Sequence, residues 1–244
     1  MGHTPSWALH RGLGKLICAI DDLSEDALKS IDALIDSGSS HDAGRYSLRF
    51  LENQLNKVLR YGRSGVCYYL LHHLLDILID RLVSIVVGAY RDYLDLFLEC
   101  PLRDVTRYFM SLVNKEVKRI KEASGVFSDI ISGRVTLSDE KLTRIVREYL
   151  ICLITLLEAS VEYITPLLMK DKGFLRKIKS SVTLLIVWQG YSTEDFSTFA
   201  KCIYKALGSP DLNITERRLT SVDVSICKDA YKDIDALLKA GRLK

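Results

Sequence analysis

Imidazole and carboxylate side chains sharing one helix face are the material of metal centres and of acid–base sites. The run CYYLLHHLLDILIDRLVSIVVGAY, from Cys67 to Tyr90, places such groups inside an otherwise apolar stretch. His73, Asp76, Asp80, Ser84, Gly88, Arg91 and Asp95 recur at spacings of three and four, which puts them on one narrow helix face. A second stripe, Arg144, Glu148, Thr155, Glu158 and Glu162, runs through residues 139–164. If the two stripes face each other within a bundle, His73, Asp76, Asp80, Glu158 and Glu162 form a carboxylate-rich pocket suited to Mn, Fe or Mg. Such a pocket would serve a metal-dependent helical enzyme acting on a phosphorylated substrate. The pattern departs from the di-metal bundles, which use two Glu-x-x-His pairs; here there is one reversed pair, His73-x-x-Asp76. The competing reading has each stripe meeting solvent or a neighbouring helix, with Arg and Lys neutralising the acids.

Other candidate chemistry is sparse. Asp21 to Asp26, DDLSED, resembles the aspartate-rich motifs of helical prenyl-transfer enzymes, but the acids crowd around Ser24, where a helix cap accounts for them. No phosphate-binding Gly-x-x-x-x-Gly-Lys loop, Gly-x-Gly-x-x-Gly turn or Gly-x-Ser-x-Gly elbow occurs. His3, His10 and His41 are assigned to termini or loops. The six cysteines, Cys18, Cys67, Cys100, Cys152, Cys202 and Cys227, contain no Cys-x-x-Cys pair. They read as small free hydrophobes in a reducing, cytoplasmic interior, against a zinc module or a disulfide scaffold. No cofactor is expected.

Charge supplies a second class of candidate. The 244-residue chain has a net charge of only +3, too small to demand a polyanionic partner. Its distribution is uneven. Residues 1–42 are acid-rich, whereas three later segments lean basic. From these, Arg45, Arg49, Arg60, Lys118, Arg119, Lys121, Arg176, Lys177 and Lys179 are candidates for contacting phosphates or an acidic partner. Solvated helix faces are the alternative for the same residues.

The elements that must position these groups are helical nearly throughout. Hydrophobic residues make up 48% of the chain and charged residues 27%, a folded composition, and only 4 prolines interrupt it. Glutamine occurs only at Gln54 and Gln189, a profile found in proteins from hot environments. Ser6 is expected to cap a helix over 6–20, Ser24 one ending near Asp36, and Asp42 one reaching Tyr61. Gly62 to Gly65 reads as a turn before the long central helix, which should stop near Pro101. Further helices are expected over 102–122, as a short connection within SGVFSDIISGR (124–134), and from Ser138 to about Pro166. Residues 66–98 are long enough to cross a bilayer. However, each charge at its centre would cost about 2.5–3.5 kcal/mol, so a core helix is the better reading.

The fold expected is therefore all-α: a helical bundle over 1–190 with a small C-terminal helical unit over 191–244, either winged-helix-like or a simple helical hairpin. The function expected is that of a non-enzymatic interaction protein without a membrane span. It would dock to protein partners or to copies of itself, and to nucleic acid if the basic segments converge.

Overall fold

The computed structural model describes residues 5–36, 47–92, 102–122 and 125–178. These residues are 89% helical and contain no strand, so the all-α class is established. The elements are α1 (Trp7–Cys18), α2 (Glu25–Asp36), α3 (Leu48–Val58), α4 (Gly62–Asp92), α5 (Leu102–Arg119), α6 (Val126–Ser132), α7 (Glu140–Ala159) and α8 (Val161–Lys170). A final helical stretch covers 172–178. The predicted C-terminal unit over 191–244 lies outside the described residues.

Local chemistry explains the helix starts. The Ser6 hydroxyl accepts the Leu9 N–H at the head of α1, and the Ser24 hydroxyl accepts the Ala27 N–H at the head of α2. At α3 the cap is Ser47, which accepts the Phe50 N–H; Asp42, the expected cap, lies outside the described residues. At α7 the cap is Asp139 rather than Ser138, because a carboxylate can take two orphan donors, here the N–H groups of Lys141 and Leu142.

Two predicted boundaries are corrected. No separate turn occupies Gly62–Gly65. A 3₁₀ turn over Leu59–Tyr61 runs directly into α4 at Gly62, which takes the required positive φ of 68°, and Gly65 is already helical. The helix expected to end at Pro166 instead breaks at Ser160, and Pro166 lies inside α8. Helices α7 and α8 meet there at 80°.

Helix α4 is the axis of the molecule. Helices α1 and α2 pack on one side, α5 and α7 on another, and α3 covers its start. From Ser64 to Asp76 every residue of α4 is buried, so it needs partners all round. No single helix among the described residues is long and apolar enough to cross a membrane.

Helix α1 approaches α4 closely because Gly14 has no side chain. A Cβ there would stand 2.8 Å from the Tyr68 ring and 2.9 Å from Ile20 Cδ1. The same two helices are joined covalently. Cys18 and Cys67 form a disulfide with Cα atoms 5.6 Å apart, and Cys152 is disulfide-bonded too, which corrects the reading of all three as free thiols. The error has a physical source: packing α1 on α4 brings together two cysteines 49 residues apart in sequence, which spacing does not reveal. Disulfides also occur in intracellular proteins of hyperthermophiles, so this bond does not by itself assign a compartment.

Candidate functional site: a buried histidine–aspartate centre

Amphipathic helices bury a stripe of apolar side chains, but in α1 and α2 the stripe is interrupted by polar groups. The buried face of α1 is Leu9, His10, Leu13, Gly14, Ile17 and Cys18. That of α2 is Ala27, Leu28, Ile31, Asp32 and Ile35. Both stripes face α4, which presents Tyr68, His72 and Asp76 one turn apart. His10, Asp32 and His72 have no solvent exposure, and Asp76 has 3%.

Asp32 is the anchor of this centre. Arg11 grips its Oδ2 through Nε at 3.1 Å and Nη2 at 2.9 Å. Tyr68 donates its hydroxyl proton to Oδ1 at 2.7 Å, and His72 Nδ1 lies 3.2 Å from the same oxygen. Burial pushes the Asp32 pKa above the ordinary 3.8; hydrogen bonds from Tyr68 and Arg11 and the Arg11 charge oppose this without cancelling it. Tyr68 is held protonated, its pKa raised by burial and by the Asp32 charge.

His10 is set from the other side. Its Nδ1–H donates to the Ser6 carbonyl at 3.1 Å, so the neutral ring carries its lone pair on Nε2. Nε2 lies 3.3 Å from Asp76 Oδ1. Ser6 is itself held, because its N–H donates to Asp171 Oδ2 at 2.9 Å. Burial works to lower the His10 pKa. The bond and charge of Asp76, the Ser6 carbonyl and the Asp32 charge outweigh it, and the value lies above 6.5.

His72 completes the centre. Its ring stacks on His10 with centroids 3.6 Å apart and planes 17° from parallel. Its Nε2 lies 3.8 Å from Asp76 Oδ2 and 3.8 Å from Asp36 Oδ1. The other Asp36 oxygen accepts the indole N–H of Trp7 at 2.5 Å. Ligand atoms of His10, His72 and Asp76 all fall within 4.8 Å of one another.

The metal set expected from the two stripes is divided among separate partners. Asp76 joins His10 and His72. His73 packs edge-on against Tyr69 at 4.7 Å and Phe127 at 5.8 Å, away from that cluster. Asp80 pairs with Lys177, and Glu158 with Lys118 at 3.1 Å. Glu162 is exposed in the first turn of α8. His10, assigned above to a terminus or loop, is instead a buried residue of α1.

The basic candidates are mostly at the surface. Arg49, Arg60, Lys118, Arg119, Lys121 and Arg176 are exposed, and Lys177 is half-buried. Arg60 stacks on the Tyr61 ring, and Arg119 pairs with the buried Glu116 at 3.2 Å. Arg45 and Lys179 lie outside the described residues.

The reasoning from sequence missed His10, Asp32, Asp36, Tyr68 and His72 as members of the site. The signal was a charged or imidazole residue at a position where helical periodicity demands an apolar one, repeated on three helices. No family model, curated protein or solved structure matches this chain.

Proposed function

We propose that the chain is a non-enzymatic helical docking protein that works inside the cell through its surface. The observation that carries this reading is the sealing of the centre. Three of its members, His10, Asp32 and His72, are fully buried, which leaves no room at them for a substrate. A phosphorylated-substrate enzyme built on Asp76 and Glu158 draws less support, since Glu158 pairs with Lys118 on the surface. The exposed residues include acids such as Asp21, Glu25 and Glu140, and also basic groups: Arg49 and Arg60 beside α3, Lys118, Arg119 and Lys121 at the end of α5, and Arg176 beyond α8. These groups suit an acidic protein partner or the phosphates of a nucleic-acid-handling assembly.

The test is binding of a fluorescent mixed-sequence oligonucleotide across a salt series, alongside light scattering of the free protein. A steep loss of affinity with salt, reduced by Arg49→Glu plus Arg60→Glu or by Lys118→Glu plus Lys121→Glu, supports the phosphate reading. A flat response removes it and leaves protein docking, for which a concentration-dependent increase in mass supports self-association. Turnover of a phosphorylated substrate by the purified chain would overturn the non-enzymatic reading.

A further inference from the structure

A protein metal site needs lone pairs aimed at one point, held there by partners behind them. The buried centre supplies both. Each histidine has its Nδ1 facing a protein acceptor: the Ser6 carbonyl for His10 at 3.1 Å and the Asp32 carboxylate for His72 at 3.2 Å. Each therefore turns Nε2 toward Asp76. This is the outer-shell arrangement that fixes the tautomer and orientation of metal-ligating imidazoles. Asp36 offers a fourth donor, because Trp7 holds one of its oxygens and the other faces His72 Nε2.

The spacing is informative. Ligands about 2.0–2.1 Å from a tetrahedral ion lie about 3.3–3.4 Å from one another. The donor separations in the centre are 3.3 Å for His10–Asp76 and 3.8 Å for both His72–Asp76 and His72–Asp36. His10 and His72 reach different oxygens of Asp76, and the set whose ligand atoms lie within 4.8 Å of one another is His10, His72 and Asp76, so closing on one ion requires those three to draw together and Asp36 to move in from outside the set. An imidazole–carboxylate donor set selects a first-row transition ion over Mg²⁺ or Ca²⁺.

We propose that His10 Nε2, His72 Nε2, Asp76 and Asp36 bind one divalent transition-metal ion of the zinc class. The site is structural: it pins α1 and α2 to α4 and has no open position for substrate. The two rings stack at 3.6 Å, with their in-plane lone pairs running side by side, so seating the ion requires the rings to splay. Asp36 is the most exposed of the four ligands, at 22% of its side chain against 0% for both histidines and 2% for Asp76. The ion therefore enters past Asp36 and Trp7. This inference is independent of the docking proposal and can fail without it.

The experiment uses the full chain, expressed without a histidine tag. Elemental analysis follows purification. The protein is then stripped with chelator and titrated with Zn²⁺ and with Co²⁺. About one ion per chain is expected. The Co²⁺ form should show the intense visible bands of tetrahedral coordination, and Tm should rise with Zn²⁺ concentration. His10→Gln and Asp36→Asn should each lower Zn²⁺ affinity at least tenfold. Asp32→Asn, which acts through His72, should lower it about 10–100-fold. His73→Gln, at a buried histidine outside the centre, should leave it unchanged. Circular dichroism checks that each variant remains helical; if a ligand variant unfolds, the wild-type stoichiometry and Co²⁺ spectrum decide. A folded wild type that takes up no Zn²⁺ and shows no Tm response would overturn the proposal and leave a network that holds only protons. Binding of equal strength in His10→Gln and Asp36→Asn would overturn it by placing the metal elsewhere.

Discussion

Helix α4 is packed in two different ways. Toward α1 and α2 it meets histidine, aspartate, tyrosine and arginine in the interior, with a disulfide close by. Toward α5 and α7 it meets helices whose buried residues include Val113, Val117, Ile145, Val146, Tyr149, Leu150 and Leu153, nearly all apolar. Charges on that side are kept to the margin, as in Lys118–Glu158, or enter as a single carboxylate, Glu116, that Arg81 and Arg119 reach from the edge. The dry side gains stability from area and fit, in rough proportion to the apolar surface it removes from water. The polar side buries charge at a cost of several kcal/mol per ion unless each is paired, so its stability depends on a few exact partners. One helix thus carries a forgiving interface and a demanding one.

This contrast can be broken at several points, from the largest expected effect to the smallest. The disulfide closes a loop between residues 49 apart, so chain-entropy reasoning gives it about 4 kcal/mol. Denaturant unfolding of Cys18→Ser plus Cys67→Ser against the wild type, both without reductant so that the bond at Cys152 stays intact, should show a loss of that order, and the polar side should loosen first by amide exchange. Next come two substitutions of opposite kind. Leu153→Ala on the dry side should cost about 3 kcal/mol through a cavity. Gly14→Ala on the polar side should cost about 2 kcal/mol through overpacking against Tyr68 and Ile20. Only the second should also weaken Zn²⁺ uptake, because it pushes α1 and its His10 away from α4.

A pH series tests the polar side alone. His10 has a folded pKa above 6.5, and Asp32 one above 3.8. Each holds its proton more tightly in the folded chain than in the unfolded one. The stability this contributes is fully present below the unfolded value and is lost as pH rises through the folded value. Tm of chelator-stripped protein should therefore fall as pH rises above 6.5 through the His10 transition. With Zn²⁺ present the trend should flatten or reverse, because the ion replaces the proton on His10. The smallest effect is expected at Lys118–Glu158. Both partners are substantially exposed, and a double-mutant cycle should return a coupling below about 1 kcal/mol that fades with salt.

The class of the fold and most helix starts were legible in the amino-acid sequence. Periodicity of apolar residues and caps at Ser6 and Ser24 are local properties, written within a turn or two of chain. The break at Ser160 was not legible, since the pattern of apolar residues continues across it toward Pro166. The site was half legible. Asp76 is legible as a polar residue in an apolar run, but the stripe pairs it with His73, at a spacing of three, whereas the structure sets it against His72, at a spacing of four. Both spacings are neighbours on a helix surface, and choosing between them requires knowing which side the partner helix occupies.

What the sequence determined by itself is a set of helices with polar residues set into their buried stripes: His10 and Gly14 in α1, Asp32 in α2, and Tyr68, His72 and Asp76 in α4. Only the tertiary structure decided that these meet at one point, that Asp80 and Glu158 turn to lysines instead, and that Cys18 reaches Cys67. The reason is geometric. A helix prescribes the direction of each side chain relative to its own axis, whereas convergence depends on how three axes lie against one another, and that is set by non-local packing such as the close approach at Gly14.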